Sequence, residues 1–205
     1  YLATGDKSVL PAIRSYTTTI ARGQGHFGTW GHGYVPPMKD GKLHGPVPPY
    51  GPVNASGLPC FVSIILALKC GIEEPELLPA IDRANRFFGY YSGKGSIPYG
   101  EHRPGPVHDD NGKSSMTAVA FTLEGRKPEA QFFSKMVTAS YESREWGHTG
   151  NGFSYLWGPI AANCGGPQAM AAFMKELRWY YDLARKWDGS FDNVGAGGGT
   201  TSACL

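Results

Sequence analysis

The 205 residues include 19 basic and 17 acidic side chains, for a formal charge of +2, and 41% are hydrophobic. That is enough apolar material for one substantial core. The near-neutral balance offers neither a basic stripe nor an acidic tail, so nucleic acid and anionic membrane surfaces are poor partners and a small polar or neutral ligand is a better one.

The first patterned stretch lies within Tyr1 to Arg22, where Leu10, Ile13, Thr17 and Ile20 step by three and four and predict an amphipathic helix. An irregular loop follows, roughly Gly23 to Ser56. It holds His26, His32 and His44 and a proline-rich strip, Pro36-Pro37 and Pro46-Val47-Pro48-Pro49-Tyr50, read first as a rigid spacer and second as a docking strip or lid. The run Cys60 to Leu68 (CFVSIILAL) is apolar on every side and predicts an inner helix. Past the turn from Cys70-Gly71 to Pro75, the positions Leu77, Ile81, Ala84, Phe88 and Tyr91 make a second amphipathic stripe.

The same alternation continues. Ser92 to Lys113 is a second irregular loop, Met116 to Leu123 an inner run, and Phe133, Val137 and Tyr141 a weaker outer stripe after the turn Gly125 to Pro128. Gly147 to Gly152 leads into Phe153 to Ala162, where Pro159 is expected to kink the helix or delay its start. After Cys164-Gly165-Gly166-Pro167, the residues Met170, Phe173, Leu177, Tyr180, Ala184 and Trp187 form the last outer stripe. Asp188 to Gly199 is again irregular, and Thr200 to Leu205 is expected to begin a further inner helix.

Leu10-Pro11-Ala12-Ile13 recurs as Leu78-Pro79-Ala80-Ile81, so the alternation is an internal repeat. It predicts one all-α domain over 1–205, an array of antiparallel helical hairpins with about three complete hairpins and incomplete ones at both ends. Glycine closes each inner helix and proline opens the next outer one, which makes one set of turns short. The outer-to-inner loops are longer, and in antiparallel hairpins they emerge at the opposite end. All six histidines lie in those loops, and long loops in a compact domain commonly carry function. Trp30-Gly31-His32, Tyr99-Gly100-Glu101-His102 and Trp146-Gly147-His148 are the clearest copies of a shared aromatic-Gly-His signature.

These features resemble the α/α-toroid superfamily, which includes squalene and other terpenoid cyclases, protein prenyltransferases and complement thioester domains. Gln24-Gly25-His26-Phe27-Gly28-Thr29-Trp30 carries the resemblance to the Q-x-x-x-G-x-W repeat of terpenoid cyclases. Ala184-Arg185-Lys186-Trp187-Asp188-Gly189-Ser190-Phe191 repeats it with a basic residue for Gln and Phe for Trp. Over most of its length the chain is more similar to an uncharacterised bacterial family of such toroids, through Gly147-His148-Thr149-Gly150-Asn151 and the Gly95-to-His102 string GSIPYGEH. The resemblance implies an α/α toroid or an arc of one. The chain departs from the active families: His108-Asp109-Asp110-Asn111 lacks the first aspartate of D-x-D-D, there is no D-x-C zinc pattern, and Cys70-Gly71 continues into Ile72-Glu73 rather than G-C-G-E-Q.

The histidine loops feed helix N-termini, where backbone N–H groups favour anions. Glu101, His102, His108, Asp109 and Asp110 fall close together in sequence. Capping of the helix near Lys113 by Asp109, Asp110 and Asn111 is the first explanation, acid/base chemistry or substrate contact the second, and a divalent-metal site a less favoured third. For the triplets, hairpin construction competes with histidines converging as bases near neutral pH. If the rim is a site, the catalytic candidates are His102, His148, Asp109 and Asp110, with His32, Glu101, His108, Asn151, Tyr155 and Trp157 in contact with substrate. No metal ligand and no cofactor is assigned. Phe61 and Phe121, with Tyr155 and Trp157, are read first as core and second as a cavity lining for sugar stacking or carbocation stabilisation.

The leading expectation is a His/Asp-rich mouth that binds or processes a polar substrate such as a carbohydrate. A non-catalytic scaffold for a protein partner and a terpenoid-cyclase-like enzyme are the alternatives. Cys60, Cys70, Cys164 and Cys204 lack C-x-x-C spacing and read as buried thiols. No run reaches the ~18 apolar residues of a membrane span. The chain has neither an initiator methionine nor a signal-peptide pattern, so processing, or the remainder of a longer chain, is expected. It is expected to be soluble, with the compartment open and bacterial export among the options.

Overall fold

An apolar run, a glycine turn and an amphipathic run form the unit from which this chain is built. The computed structural model describes residues 1–33, 35–45, 51–105, 112–140, 150–192 and 200–201, without the side chains of 150–152, 192, 200 and 201. Among these residues the fold is an all-α array: α1 (Leu10–Arg22), α2 (Asn54–Lys69), α3 (Leu77–Gly89), α4 (Lys113–Leu123), α5 (Lys127–Ala139), α6 (Gly150–Cys164) and α7 (Pro167–Ala184). The only described strands are β1 (Phe191–Asp192) and β2 (Thr200–Thr201), a two-residue antiparallel pair. Thr200–Thr201, expected to open a helix, is therefore extended.

The chain divides into two compact units, Tyr1–Tyr91 with Pro98–Arg103, and Ser92–Ile97 with Pro104–Leu205. In the first, α1 packs on α2 and α3, and α2 on α3. In the second, α4 packs on α5 and α6, α5 on α6 and α7, and α6 on α7. The inner helices are apolar all round, as expected: in α2, Leu58, Phe61, Ile64 and Ile65 are at most 1% exposed. The outer helices bury one stripe each, for α3 Leu77, Ala80, Ile81, Ala84 and Phe88. Each inner helix is clasped to its outer partner by an aromatic pair: Phe61 with Phe88, Phe121 with Phe133, and Tyr155 with Tyr180, at centroid separations of 5.7, 6.0 and 3.7 Å.

The short turns follow one rule. After α2, Gly71 at φ 79° lets Ile72 N–H reach the Ala67 carbonyl (3.0 Å) and its own N–H reach Leu68 (2.9 Å). This is the Schellman arrangement that terminates a helix with a left-handed glycine. After α4 it recurs with Gly125: Arg126 N–H meets the Phe121 carbonyl at 2.8 Å, and the Arg126 guanidinium lies 4.9 Å above the Phe121 ring. Proline then opens α5 and α7 near their first turns.

Two local expectations change. Helix α6 starts at Gly150 and contains Pro159 before ending at Cys164, so its start is not delayed to the proline. Trp187, expected on the buried stripe of α7, lies beyond the end of that helix at Ala184 and is 98% exposed.

Candidate functional site

The loop after α1 is built around a buried glutamine. Gln24 is 2% exposed; its Nε2 donates to the carbonyls of Gly28 (3.1 Å) and Ala80 (2.9 Å), and its Oε1 accepts from Arg83 Nε (2.7 Å). It thus ties the end of α1 to α3. Gly28 has φ 101° and lies so close to the Arg83 carbonyl and the Phe87 side chain that a Cβ would overlap them. Trp30, 4% exposed, donates from Nε1 to the Ile20 carbonyl (2.7 Å) in the last turn of α1. These roles explain the spacing: Gln crosses to the next helix, Gly permits the approach, and Trp caps the helix just ended.

The same loop brings two of the aromatic-Gly-His copies together at the N-terminus of α2. Val53 N–H donates to the Trp30 carbonyl (2.8 Å), and the next amide, Asn54, donates to the Tyr99 carbonyl (2.7 Å). The Asn54 side chain, fully buried, donates to Pro98 (3.0 Å) and Gly100 (2.9 Å) and accepts from the Thr29 hydroxyl (2.9 Å). The second copy therefore contributes backbone to the buried Asn54, while the first contributes its Trp30 carbonyl to the neighbouring Val53 N–H and is tied to Asn54 through the Thr29 hydroxyl, so the two copies meet at the start of α2. Tyr99 Oη stands 3.4 Å from His32 Nε2. Tyr91 donates its hydroxyl to the His102 carbonyl (3.1 Å), and burial pushes that phenol up to about 12, so it remains a donor at physiological pH.

His32, Glu101 and His102 are exposed beside these anchors. A cleft of about 210 Å³ opens between Trp30, Gly31, His32, Gly33, Ser56 and Cys60. Burial pushes the Cys60 thiol up to about 11, which leaves it protonated and removes it as a nucleophile at neutral pH. The cleft lining can therefore form hydrogen bonds through His32 and Ser56.

The other two described histidines serve the loop itself. His26 N–H and Nδ1 both approach the His44 carbonyl, at 2.8 and 3.2 Å, and His44 Nε2 is 2.7 Å from the Pro36 carbonyl. A carbonyl only accepts, so His26 Nδ1 and His44 Nε2 each carry a proton there. Hairpin construction accounts for these two.

Other sequence candidates are distributed differently. Tyr155 is 6% exposed, stacks on Tyr180 and accepts the Tyr181 hydroxyl at its carbonyl (2.8 Å), so its ring is committed to joining α6 to α7. Phe61 and Phe121 are fully buried and belong to the core. Trp157 is half-buried on α6. His108, Asp109, Asp110 and His148 lie outside the described residues, as does the side chain of Asn151. The N-cap of α4 is Gly112, at φ 84° and in close contact with the backbone of Phe153 and Ser154. Among the described residues no cluster of three or more His, Cys, Asp or Glu side chains could hold a metal ion.

Asn54 went unnoticed in the sequence, and so did Lys113, which lies in the first turn of α4 and is 1% exposed. A lysine opening an otherwise apolar helix was the available signal, because an ammonium at a helix N-terminus opposes the dipole and is seldom buried.

The repeated packing of an apolar inner helix on an amphipathic outer one, with polar loops beside the inner-helix N-terminus, defines an all-α protein of helical hairpins. The chain belongs to the family described as a domain of unknown function (DUF6288), which matches residues 1–202. No curated protein and no solved structure matches it. No described helix is long and apolar enough to cross a membrane.

Proposed function

We propose that this chain is a hairpin-repeat protein of the α/α-toroid kind that holds a small polar ligand, carbohydrate in class, at the surface carrying His32, Tyr99, Glu101 and His102. The observation that carries this reading is the meeting of Trp30-Gly31-His32 and Tyr99-Gly100-Glu101-His102 at Val53-Asn54, the start of α2, with Tyr99 Oη 3.4 Å from Nε2 of His32, which lines the cleft. Hairpin construction requires the backbone of these copies, but it does not require imidazoles and a carboxylate on the outside. Uncharged hydroxyl groups suit a cleft whose polar lining is imidazole, hydroxyl and thiol.

In this reading His32 and His102 supply the imidazoles for hydrogen bonding and acid/base chemistry, and Glu101 supplies the neighbouring carboxylate. A carbocation cyclase is less well supported, because Phe61, Phe121 and Tyr155 are consumed in inner-to-outer packing.

Isothermal titration calorimetry against a panel of neutral and acidic oligosaccharides tests the proposal, using wild type, His32→Ala/His102→Ala and, separately, His148→Ala and Asp109→Asn/Asp110→Asn. Saturable binding that the first double variant loses, with its thermal unfolding unchanged, is the expected outcome. Binding that survives that variant would show the ligand sits elsewhere, and no binding by wild type would remove the carbohydrate class.

A further inference from the structure

The Gln24-to-Trp30 loop has a structural twin late in the chain. In the first copy Gly25 N–H donates to the Thr29 carbonyl (2.9 Å) and Gly28 N–H to Gly25 (3.0 Å). Between Arg185 and Phe191 the pattern repeats at equivalent positions: Lys186 N–H donates to Ser190 (2.7 Å) and Gly189 N–H to Lys186 (3.0 Å). Gly28 and Gly189 share the left-handed conformation, at φ 101° and 84°.

The two copies differ in what covers them. The first is covered by α3: Gln24 bonds to Ala80 and Arg83, and Gly28 is pressed against the Arg83 carbonyl. In the second, Arg185 is exposed in the place of Gln24, and nothing among the described residues lies within 4 Å of a Cβ at Gly189. Arg185, Gly189, Tyr181 and Met174 instead border an open groove of about 550 Å³.

The matching half of the joint is exposed on α1. Leu10-Pro11-Ala12-Ile13 aligns with Leu78-Pro79-Ala80-Ile81, so Ala12 and Ser15 occupy the positions of Ala80 and Arg83. Ala80 is fully buried under Gln24, whereas Ala12 and Ser15 are exposed. Beside them Tyr16 is 72% exposed, and a groove of about 520 Å³ runs past Val9, Ala12, Ile13 and Tyr16.

We infer that a second copy of this chain docks its α1 on the Arg185-to-Phe191 turn, continuing from molecule to molecule the interface that α3 makes with the Gln24-to-Trp30 loop. The repeat alignment selects α1 for this position, because its exposed Ala12 stands where Ala80 is covered in the first joint. Arg83 pairs with Gln24 in the covered joint; an α3-like helix on the second turn would set Arg83 against Arg185, two like charges. At the aligned position α1 offers Ser15 instead of an arginine, with Arg14 of α1 paired to Glu74 and the Arg178–Asp182 pair beside Arg185 on the groove, and Arg185 is in place to donate to the Ala12 carbonyl. The contact is heterologous, two different surfaces meeting, so it builds chains or rings.

Sedimentation-velocity ultracentrifugation of wild type, Ala12→Arg, Arg185→Glu and an equimolar mixture of the two variants tests this. Both substitutions lie at exposed positions, and circular dichroism checks that the fold is retained. Wild type is expected to form dimers and larger species as concentration rises, and each variant alone to stay monomeric. The mixture regains association, because the arginine introduced on α1 of one variant meets the glutamate introduced on the turn of the other, while the remaining joints pair the unchanged Ala12 with the unchanged Arg185. A monomeric wild type, variants that associate like wild type, or a mixture that stays monomeric would each overturn the proposal. None of these outcomes depends on a ligand at His32, so failure here and failure of the binding proposal are distinguishable.

Discussion

At the residue scale, the clearest determinants are glycines and a glutamine whose roles follow from geometry. Gly28 combines a left-handed φ with a backbone neighbour where its Cβ would go, whereas Gly189 has the φ without the neighbour. Gly28→Ala should therefore cost about 3 kcal/mol or more, conformational strain plus overpacking, and Gly189→Ala about 1 kcal/mol, by urea denaturation at low protein concentration. Equal costs would mean that α3 does not press on this loop.

The Arg22 hydrogen bond to Glu76 holds that carboxyl below its ordinary 4.5. A depressed native value stabilises the fold above the ordinary carboxylate range and loses that contribution as pH falls through the native value. Glu76→Gln should accordingly be less stable than wild type at neutral pH, by about 1 kcal/mol, because Glu76 is partly buried while Arg22 remains more than half exposed, and the difference should vanish in acid. A gap that persists in acid would assign the effect to something other than the ion pair.

At the element scale, much was legible because the hairpin repeat writes period and punctuation together. The Cys60-to-Leu68 run gave its helix away through uniform apolarity, and Gly71 and Gly125 marked the Schellman turns. Helix α2 nonetheless begins at Asn54, ahead of the apolar run. Its first turn is fixed by Asn54 reaching Pro98 and Gly100, a long-range contact with no local periodicity to announce it. Trp187 misled for a related reason: it continued the numerical stripe of α7, but the turn stabilised by Asp188 accepting from Ser190 N–H and Oγ takes the chain out of helix first. Asn54→Ala would strand two carbonyls and a threonine hydroxyl in a buried setting, at a cost of about 3 kcal/mol. Amide exchange at Val53 and Asn54 should accelerate in that variant well before exchange in the middle of α2; uniform acceleration along the helix would show that Asn54 is not a local anchor.

At the scale of the whole molecule, the repeat is visible in sequence as Leu-Pro-Ala-Ile pairs and aromatic-Gly-His copies, and it correctly implied an all-α array. It could not separate histidines that build a loop from histidines that face a ligand, because both carry the same local signature. The hydrogen bonds make that separation for the described residues: His26 and His44 are tied to backbone carbonyls within their own loop, while His32 meets the Tyr99 hydroxyl beside a cleft. Two sets of histidines in one chain thus provide their own control. The most direct test of the proposed binding surface is a long-range nitrogen–proton spectrum of the imidazoles, recorded during titration with the tightest oligosaccharide of the panel. The expected result is that the His32 and His102 resonances move with saturation while those of His26 and His44 stay fixed; movement of His26 and His44 with His32 and His102 unchanged would contradict it.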